Sequence, residues 1–277
     1  MKYNLHTHTH YSDGKLNFED HIESAIQKSF DIIGFSDHSP LPFSTYFSMK
    51  ESDIEQYKKE IADAKEKYCD QIEILSSMEM DYIPGISKHF NDWDINFDYI
   101  IGSVHMVGKD VNSLWFIDGP KQEIYDEGLN NFYNGNIQTA VCAYFDQLQQ
   151  MIQYEKFDIL GHMDKIRMHN NERFFLTSDK WYCDQYMQLL EQVKRKDLVV
   201  EVNTRGLYKK RAKDCFPSLK ILEEIAKMEI PVCISSDAHH PDELDLEFDF
   251  AQKELIKAGL GCHYAFRKGN FKEIPLY

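Results

Sequence analysis

The sequence predicts an α/β fold in which parallel strands close into a (β/α) barrel, as a single domain over residues 1–277. Three observations predict it. Seven short apolar runs recur along the chain. Each ends on a histidine, an acid or a polar cluster, and helix-period segments alternate with the runs. Strand-helix alternation of this kind is the pattern of parallel sheets. Ligand-type residues at nearly every strand end make sense if those ends meet at one place. A barrel achieves this, whereas a doubly wound open sheet spreads its outer strands too far apart.

The first run, Tyr3-Asn4-Leu5, passes directly into His6-Thr7-His8-Thr9-His10. Side chains two apart on a strand share a face, so His6 and His8 can grip one cation. Residues 18–29 read as a helix, because Phe18, Ile22, Ala25, Ile26 and Phe30 recur about a turn apart behind Asn17, an N-cap type. The second run, 32–35, ends on Ser36-Asp37-His38. A charged amphipathic helix follows over 50–68. The third run covers 72–79 and ends on Met78-Glu79; the fourth covers 99–105 and ends on Val104-His105. Residues 121–155 are mostly helical, with a break at Asn134-Gly135-Asn136. The fifth run ends on Gly161-His162, the sixth on Glu201-Val202-Asn203 and the seventh on Asp237-Ala238-His239. Helices are predicted over 179–194, 216–228 and 243–258.

The insertion between His105 and Phe157 is about twice an ordinary crossover. Within it, residues 110–121, with Trp115 and Phe116, are expected to overhang the strand ends as a lid. Residues 39–50, with Pro40, Pro42, Phe43, Tyr46 and Phe47, are expected to form a second wall.

Bulk properties narrow the class. The 277 residues are 43% hydrophobic, with 18 Phe and 16 Tyr, which excludes a disordered chain and allows a sizeable core. A net charge of −15 argues against a nucleic-acid surface. It leaves room for an anionic ligand, because divalent cations reverse the field of a cleft locally. No apolar stretch is long enough for a bilayer, so no membrane partner is expected. The N-terminus carries no signal-peptide core, and the six widely spaced cysteines form no Cys-x-x-Cys pair. Reduced cysteines and a cytoplasmic location are therefore expected.

The ordered set of strand-end motifs resembles the PHP family, the polymerase and histidinol phosphatase phosphoesterases. The pieces are Leu5-His6-Thr7-His8-Thr9 with Tyr11-Ser12-Asp13-Gly14, Ser36-Asp37-His38, Glu79, Ser103-Val104-His105, Gly161-His162-Met163-Asp164, Glu201-Val202-Asn203-Thr204 and Ser235-Ser236-Asp237-Ala238-His239. Length and the Glu-Val-Asn-Thr segment look most like the stand-alone histidinol-phosphatase branch. The resemblance implies a distorted (β/α)7 TIM-like barrel with a three-metal site. His6, His8, Glu79 and Asp237 would hold the first metal. Glu79 would bridge to a second, completed by His105 and His162. His38 and His239 would hold the third, with Asp13 as its last ligand and His10 as the rival. Glu79, Asp237 and His239 would be the catalytic members. The resemblance thus implies two to three divalent transition metals, and imidazole mixed with carboxylate suits Zn, Mn, Fe or Co rather than Ca.

The implied activity is metal-dependent hydrolysis of a small phosphomonoester, L-histidinol phosphate, by a metal-bridging hydroxide. A nucleotide or phosphotyrosine is the alternative substrate, and a metal-binding regulatory protein is the non-enzymatic alternative. Arg205, just past the sixth run, is expected to bind phosphate through its two-pronged fork, with Lys165 as a second contact. Arg167 serves equally well as a solvated cation. Glu201 is expected to support the site, as a partner for a substrate amine. His240 is expected to be structural, and His21, His89, His169 and His263 lack a ligand-like neighbourhood.

Overall fold

Strands that are apolar along their whole length must be covered on both faces, which favours a parallel sheet under helices. The computed structural model, which describes residues 1–93 and 96–276, shows this arrangement. One sheet contains β1 (Tyr3–Asn4), β2 (Ile32–Phe35) and β3 (Glu73–Ser76). The other contains β4 (Glu79–Asp81), β5 (Ile101–Ser103), β8 (Ile159–Leu160), β9 (Val199–Asn203) and β10 (Val232–Ser235), and every pairing in both is parallel. Two hairpins are antiparallel: β6 (Met106–Val107) with β7 (Trp115–Phe116), and β11 (Cys262–Arg267) with β12 (Asn270–Pro275).

The third predicted run divides between the two sheets. Ser77 N–H donates to Phe35 C=O, whereas Met78 C=O accepts from Ile101 N–H, so the chain steps from one neighbour to the other. Parallel bridges lie on both flanks. His38 pairs with Glu79, and Thr7 pairs with Ala238, the latter through His8 N–H to Ala238 C=O (2.8 Å) and Ala238 N–H to His6 C=O (3.1 Å).

The helices are α1 (Phe18–Gln27), α2 (Ile54–Lys67), α3 (Gln122–Tyr133), α4 (Ile137–Tyr154), α5 (Lys180–Arg195), α6 (Arg205–Tyr208), α7 (Leu219–Lys227) and α8 (Phe248–Ala258). Asn17 caps α1 in a capping box with Asp20. The break between α3 and α4 falls where it is predicted, at Asn134 in the left-handed region (φ 52°). Two starts differ. Helix α7 begins at Leu219, because Phe216 exchanges both backbone hydrogen bonds with Asn203. Helix α8 begins at Phe248, because residues 241–243 form a 3-10 turn and Glu247 takes φ 64°.

Apolar residues pack in two main layers. The larger lies between helices and strands, around Ile22, Phe35, Leu148, Leu190, Val202 and Leu255. The smaller lies among the strands themselves: Tyr3, Leu5, Ile32, Leu75, Tyr99, Ile101, Ile159, Val199 and Cys233. Ala265 and Phe266 of the unpredicted β11–β12 hairpin join this inner cluster. Each large side chain so buried contributes about 1.5–3 kcal/mol. The inner cluster is a floor that fixes where the strand ends point.

The lid expectation needs one correction. Trp115 is fully buried, donates Nε1–H to Tyr125 C=O (2.9 Å) and packs at a tilt against the Tyr125 and Tyr133 rings. An indole is too large and apolar to leave exposed when α3 offers a pocket. It roots the segment, and only its neighbours reach the strand ends.

Gly34 shows how tight the floor is. A Cβ there would lie 1.9 Å from Tyr99 Oη, whose hydroxyl donates to Leu5 C=O (2.5 Å). Gly34→Ala should therefore cost about 1–3 kcal/mol, as overpacking does. The check is a lower urea midpoint with an unchanged slope; an unchanged midpoint would show that Tyr99 moves aside freely.

Candidate metal centre

Parallel strands direct their carboxyl ends to one side, so residues far apart in sequence converge there. Glu79, at the start of β4, is the meeting point. Its Oε2 lies 3.2 Å from His6 Nε2, 3.6 Å from His8 Nε2 and 3.1 Å from His38 Nδ1. Its Oε1 lies 2.9 Å from His162 Nε2 and 3.4 Å from His105 Nε2. Asp237 Oδ1 is 3.3 Å from His8 Nε2 and 3.9 Å from His6 Nε2. Asp13 Oδ1 is 3.0 Å from His239 Nε2 and 3.8 Å from His38 Nε2.

Four groups have ligand atoms within 4.8 Å of one another: His6, His8 and Asp237; Glu79, His105 and His162; His8, Asp13, His38 and His239; and His38, Asp81 and His105. The nine predicted side chains thus come together. His10 does not join them; it is exposed, with its ring against Tyr11. Nor do His21, His89, His169, His240 and His263. Each has another local partner: Lys15 C=O, Glu155, Gly119 C=O, Asp242 and Tyr3, in that order.

The donor set fits divalent cations. His6 Nε2, His8 Nε2, His38 Nδ1, Asp13 Oδ1 and Asp81 Oδ2 are buried and lack a hydrogen-bond partner among the described residues. Such atoms cost about 1–3 kcal/mol each when unsatisfied. Lone pairs converging from imidazole and carboxylate are what zinc-like ions take.

Behind the ligands is a supporting layer. Glu201 is buried with both oxygens engaged: Oε1 accepts from His6 Nδ1 (2.5 Å) and Ser235 Oγ, and Oε2 accepts from His162 N–H (2.8 Å). It has no free oxygen for a substrate amine. Its task is to orient His6 and the His162 backbone, as carboxylates behind metal-binding histidines do. Asp81 accepts from His105 Nδ1 (2.7 Å). Sequence reasoning missed Asp81, although Glu79-Met80-Asp81 carries the same two-residue spacing that singled out His6 and His8. Asp37 was noted only as part of a motif. It accepts from the Thr9 and Ser12 N–H groups and holds the turn bearing Asp13.

Charge follows this geometry. Burial alone would raise the Glu79 carboxyl, yet His6, His38 and His105 hold it well below the usual carboxylate range. Burial opposes a charge on His105, but Asp81, Glu79 and Asp118 outweigh it and push it up to about 10. Asp237 sits at φ 53°, a left-handed conformation that Asp enters more readily than most residues.

The centre opens into a cavity of about 530 Å³. Arg205 lies on its wall, with Nη1 donating to Asp237 C=O (2.6 Å) and 2.8 Å from His239 Nδ1. Lys165 Nζ lies 3.0 Å from Asp118 Oδ2 and 3.5 Å from Asp237 Oδ2. Arg167 does not face the cavity; it is buried against Asp164, Asp214 and Cys215 C=O. Tyr46, Phe47 and Phe116 form the aromatic side, with the Phe47 and Phe116 rings stacked at 5.5 Å.

Fold and site together define an α/β protein with a His/Asp/Glu metal-binding centre at its parallel strand ends. The PHP domain model matches residues 4–205, and the chain belongs to that family. It is 28% identical over 277 residues to a protein of Clostridium acetobutylicum named probable histidinol-phosphatase, covering 95% of this chain and 94% of that one. It is 25% identical over 267 residues to the histidinol-phosphatase of Bacillus subtilis, covering 88% and 96%. Among solved structures, histidinol phosphate phosphatase of Lactococcus lactis, complexed with zinc, L-histidinol and phosphate, superposes with a TM-score of 0.70. The identity is 21%, and 98% of each chain is covered. The hisK chain of Listeria monocytogenes gives a TM-score of 0.80 at 24% identity, covering 90% of this chain and 99% of that one.

A raised His105 is protonated at pH 7 in the metal-free protein. If His105 is a metal ligand, metal uptake would displace that proton from Nε2, while Nδ1–H would stay with Asp81. Calorimetry in buffers of different ionisation enthalpy should detect proton release, and apparent metal affinity should rise between about pH 6 and 9. A pH-independent affinity would sink the assignment of His105 as a ligand.

Proposed function

We propose that this chain is a metal-dependent phosphomonoesterase that hydrolyses L-histidinol phosphate to L-histidinol and phosphate. One observation carries the reading. Asp13, His38, His105, Asp237 and His239 line the same cavity as two cations, Arg205 and Lys165. Curated relatives named histidinol-phosphatase, matched over most of their length, point to the substrate.

His6, His8, Glu79 and Asp237 would hold one divalent metal. Glu79 would be shared with a second, alongside His105 and His162. Asp13, His38 and His239 would hold a third. When bound, such metals neutralise phosphoryl oxygens and make water a competent nucleophile at neutral pH. The chain's own groups do the rest. Glu201 and Asp81 hold His6 and His105 in orientation, leaving each Nε2 free. Arg205 and Lys165 take phosphoryl oxygens, and their charges offset the dianion in a partly closed cavity. Tyr46, Phe47 and Phe116 cover the organic half and exclude water. Glu79, Asp237 and His239 are the catalytic members in this scheme.

The proposal includes the finer architecture. The two flanking bridges, His38 with Glu79 and Thr7 with Ala238, support closure of the sheets into a distorted (β/α)7 barrel covering residues 1–277 as one domain. It also includes a cytoplasmic setting, in keeping with six unpaired cysteines. Among the described residues no helix is long and apolar enough to cross a membrane.

Four measurements test the proposal. Elemental analysis after reconstitution should return two to three metal equivalents, and one or none would remove the trinuclear scheme. Glu79→Gln should lower that content and cut turnover by at least about a hundredfold. Across histidinol phosphate, nucleotides, phosphotyrosine and sugar phosphates, kcat/KM should favour histidinol phosphate by orders of magnitude; a nucleotide or phosphotyrosine in the lead would reassign the substrate. Arg205→Ala should depress kcat/KM roughly ten- to a hundredfold for every ester accepted, with partial recovery in Arg205→Lys. Wild-type kinetics in Arg205→Ala would transfer the phosphate contact to Lys165.

A further inference from the structure

Two acids facing the cavity have no place in this scheme; Glu243 is taken up by Lys209 and the His239 N–H, which leaves Asp118. Asp118 follows β7, in the segment rooted by Trp115, and its side chain is only 8% exposed. Oδ2 is 3.0 Å from Lys165 Nζ, but Oδ1 is buried without a hydrogen-bond partner among the described residues. A metal does not account for it. Asp118 Oδ2 is 3.9 Å from His105 Nε2, yet Asp118 joins none of the four groups of converging ligand atoms.

The segment holds Asp118 firmly. Ile117 N–H donates to His105 C=O (3.1 Å), and Gly119 C=O binds the His169 ring (2.7 Å). Its setting is half acidic, half aromatic. Phe116 lies two residues before it, stacked on Phe47 and edge-on to Tyr46. Lys165 stands between Asp118 and Asp237, so the phosphate-binding side of the cavity adjoins this acid. A half-satisfied buried carboxylate beside aromatic faces suits an N–H-bearing organic cation.

We propose that Asp118 is a specificity-determining residue that receives the cationic end of the substrate's alcohol half through Oδ1, a role that rests on the phosphatase reading above. Lys165 then serves both ends: it takes a phosphoryl oxygen and holds Oδ2, which leaves Oδ1 as the oxygen still to be partnered. A neutral ester of the same size leaves Oδ1 unsatisfied, which penalises it.

The test compares Asp118→Asn with the unsubstituted enzyme on L-histidinol phosphate and on phenyl phosphate, which is neutral beyond its phosphate. The ratio of the two kcat/KM values should fall by roughly ten- to a hundredfold, with metal content kept. Asp118→Glu, which keeps the charge, should retain most of the preference. The histidinol phosphate analogue without its amino group identifies the contact. It will be indifferent to Asp118→Asn if the amine is held, and it will respond if the ring is held. Equal losses on both esters would mean that Asp118 acts only through Lys165, and loss of metal would make it a ligand; either outcome overturns the proposal, as does an unchanged ratio. Failure of the phosphatase reading itself would show separately, as an unsubstituted enzyme that does not turn over histidinol phosphate.

Discussion

A carboxylate buried among five histidines is the constraint on which the rest of this structure depends. Glu79 is 1% exposed, and the imidazoles of His6, His8, His38, His105 and His162 all lie within 3.6 Å of its oxygens. An isolated carboxylate in such a place would neutralise itself rather than pay the desolvation cost. Here surrounding positive charge keeps it ionised. The five rings follow four different strands, so the charge cluster exists only if those strands are parallel and in register. Fold and site are two descriptions of one arrangement.

The supporting layer explains how so polar a cluster keeps its shape. Glu201 ties β1 to the β8 end and to β10 through His6, the His162 backbone and Ser235. Asp81 fixes His105, and Ser103 donates Oγ–H to Glu79 Oε1 (2.6 Å). Asp37 anchors the turn that carries Asp13, where Gly14 passes so close to His8 that a Cβ would lie 2.3 Å from its carbonyl. Beneath them the dry inner cluster of Leu5, Ile32, Leu75, Tyr99 and Ile159 excludes water. Ligand lone pairs therefore stay aimed at shared points, and little reorganisation is left to do on binding a cation.

The cavity is divided in chemistry. Arg205 and Lys165 sit beside the ligand cluster, while Tyr46 and Phe47 on the loop after β2, Phe116 in β7 and Asp118 just beyond it line the rest of the cavity. The strand ends carry what any phosphoester would need. In the proposed reading, the segments after β2 and around β7 would distinguish one alcohol from another, since a rigid scaffold leaves such specificity to its connecting segments.

How far the sequence alone determines this protein can be judged residue by residue. Apolar runs ending on a histidine, an acid or a polar cluster mark the seven strand positions, and Asn17 and Asn134 mark a helix start and a helix break, because these signals are local in the chain. The two-residue spacing of His6 and His8 is equally local, and Asp81 obeys the same rule. Other features were decided only in three dimensions. Trp115 turned from lid to root because α3 supplied a buried partner for its indole. Glu201 kept its supporting place but lost the substrate amine as a partner, because His6, Ser235 and His162 claimed both its oxygens. The split of the third strand run arose from competition between Phe35 and Ile101 for its backbone, and the closing β11–β12 hairpin from the need to cover an inner core. Local periodicity encodes which residues are apolar and which can bind. It does not encode which distant group satisfies a buried carboxylate or hydrogen-bond donor, since that partner is chosen by packing.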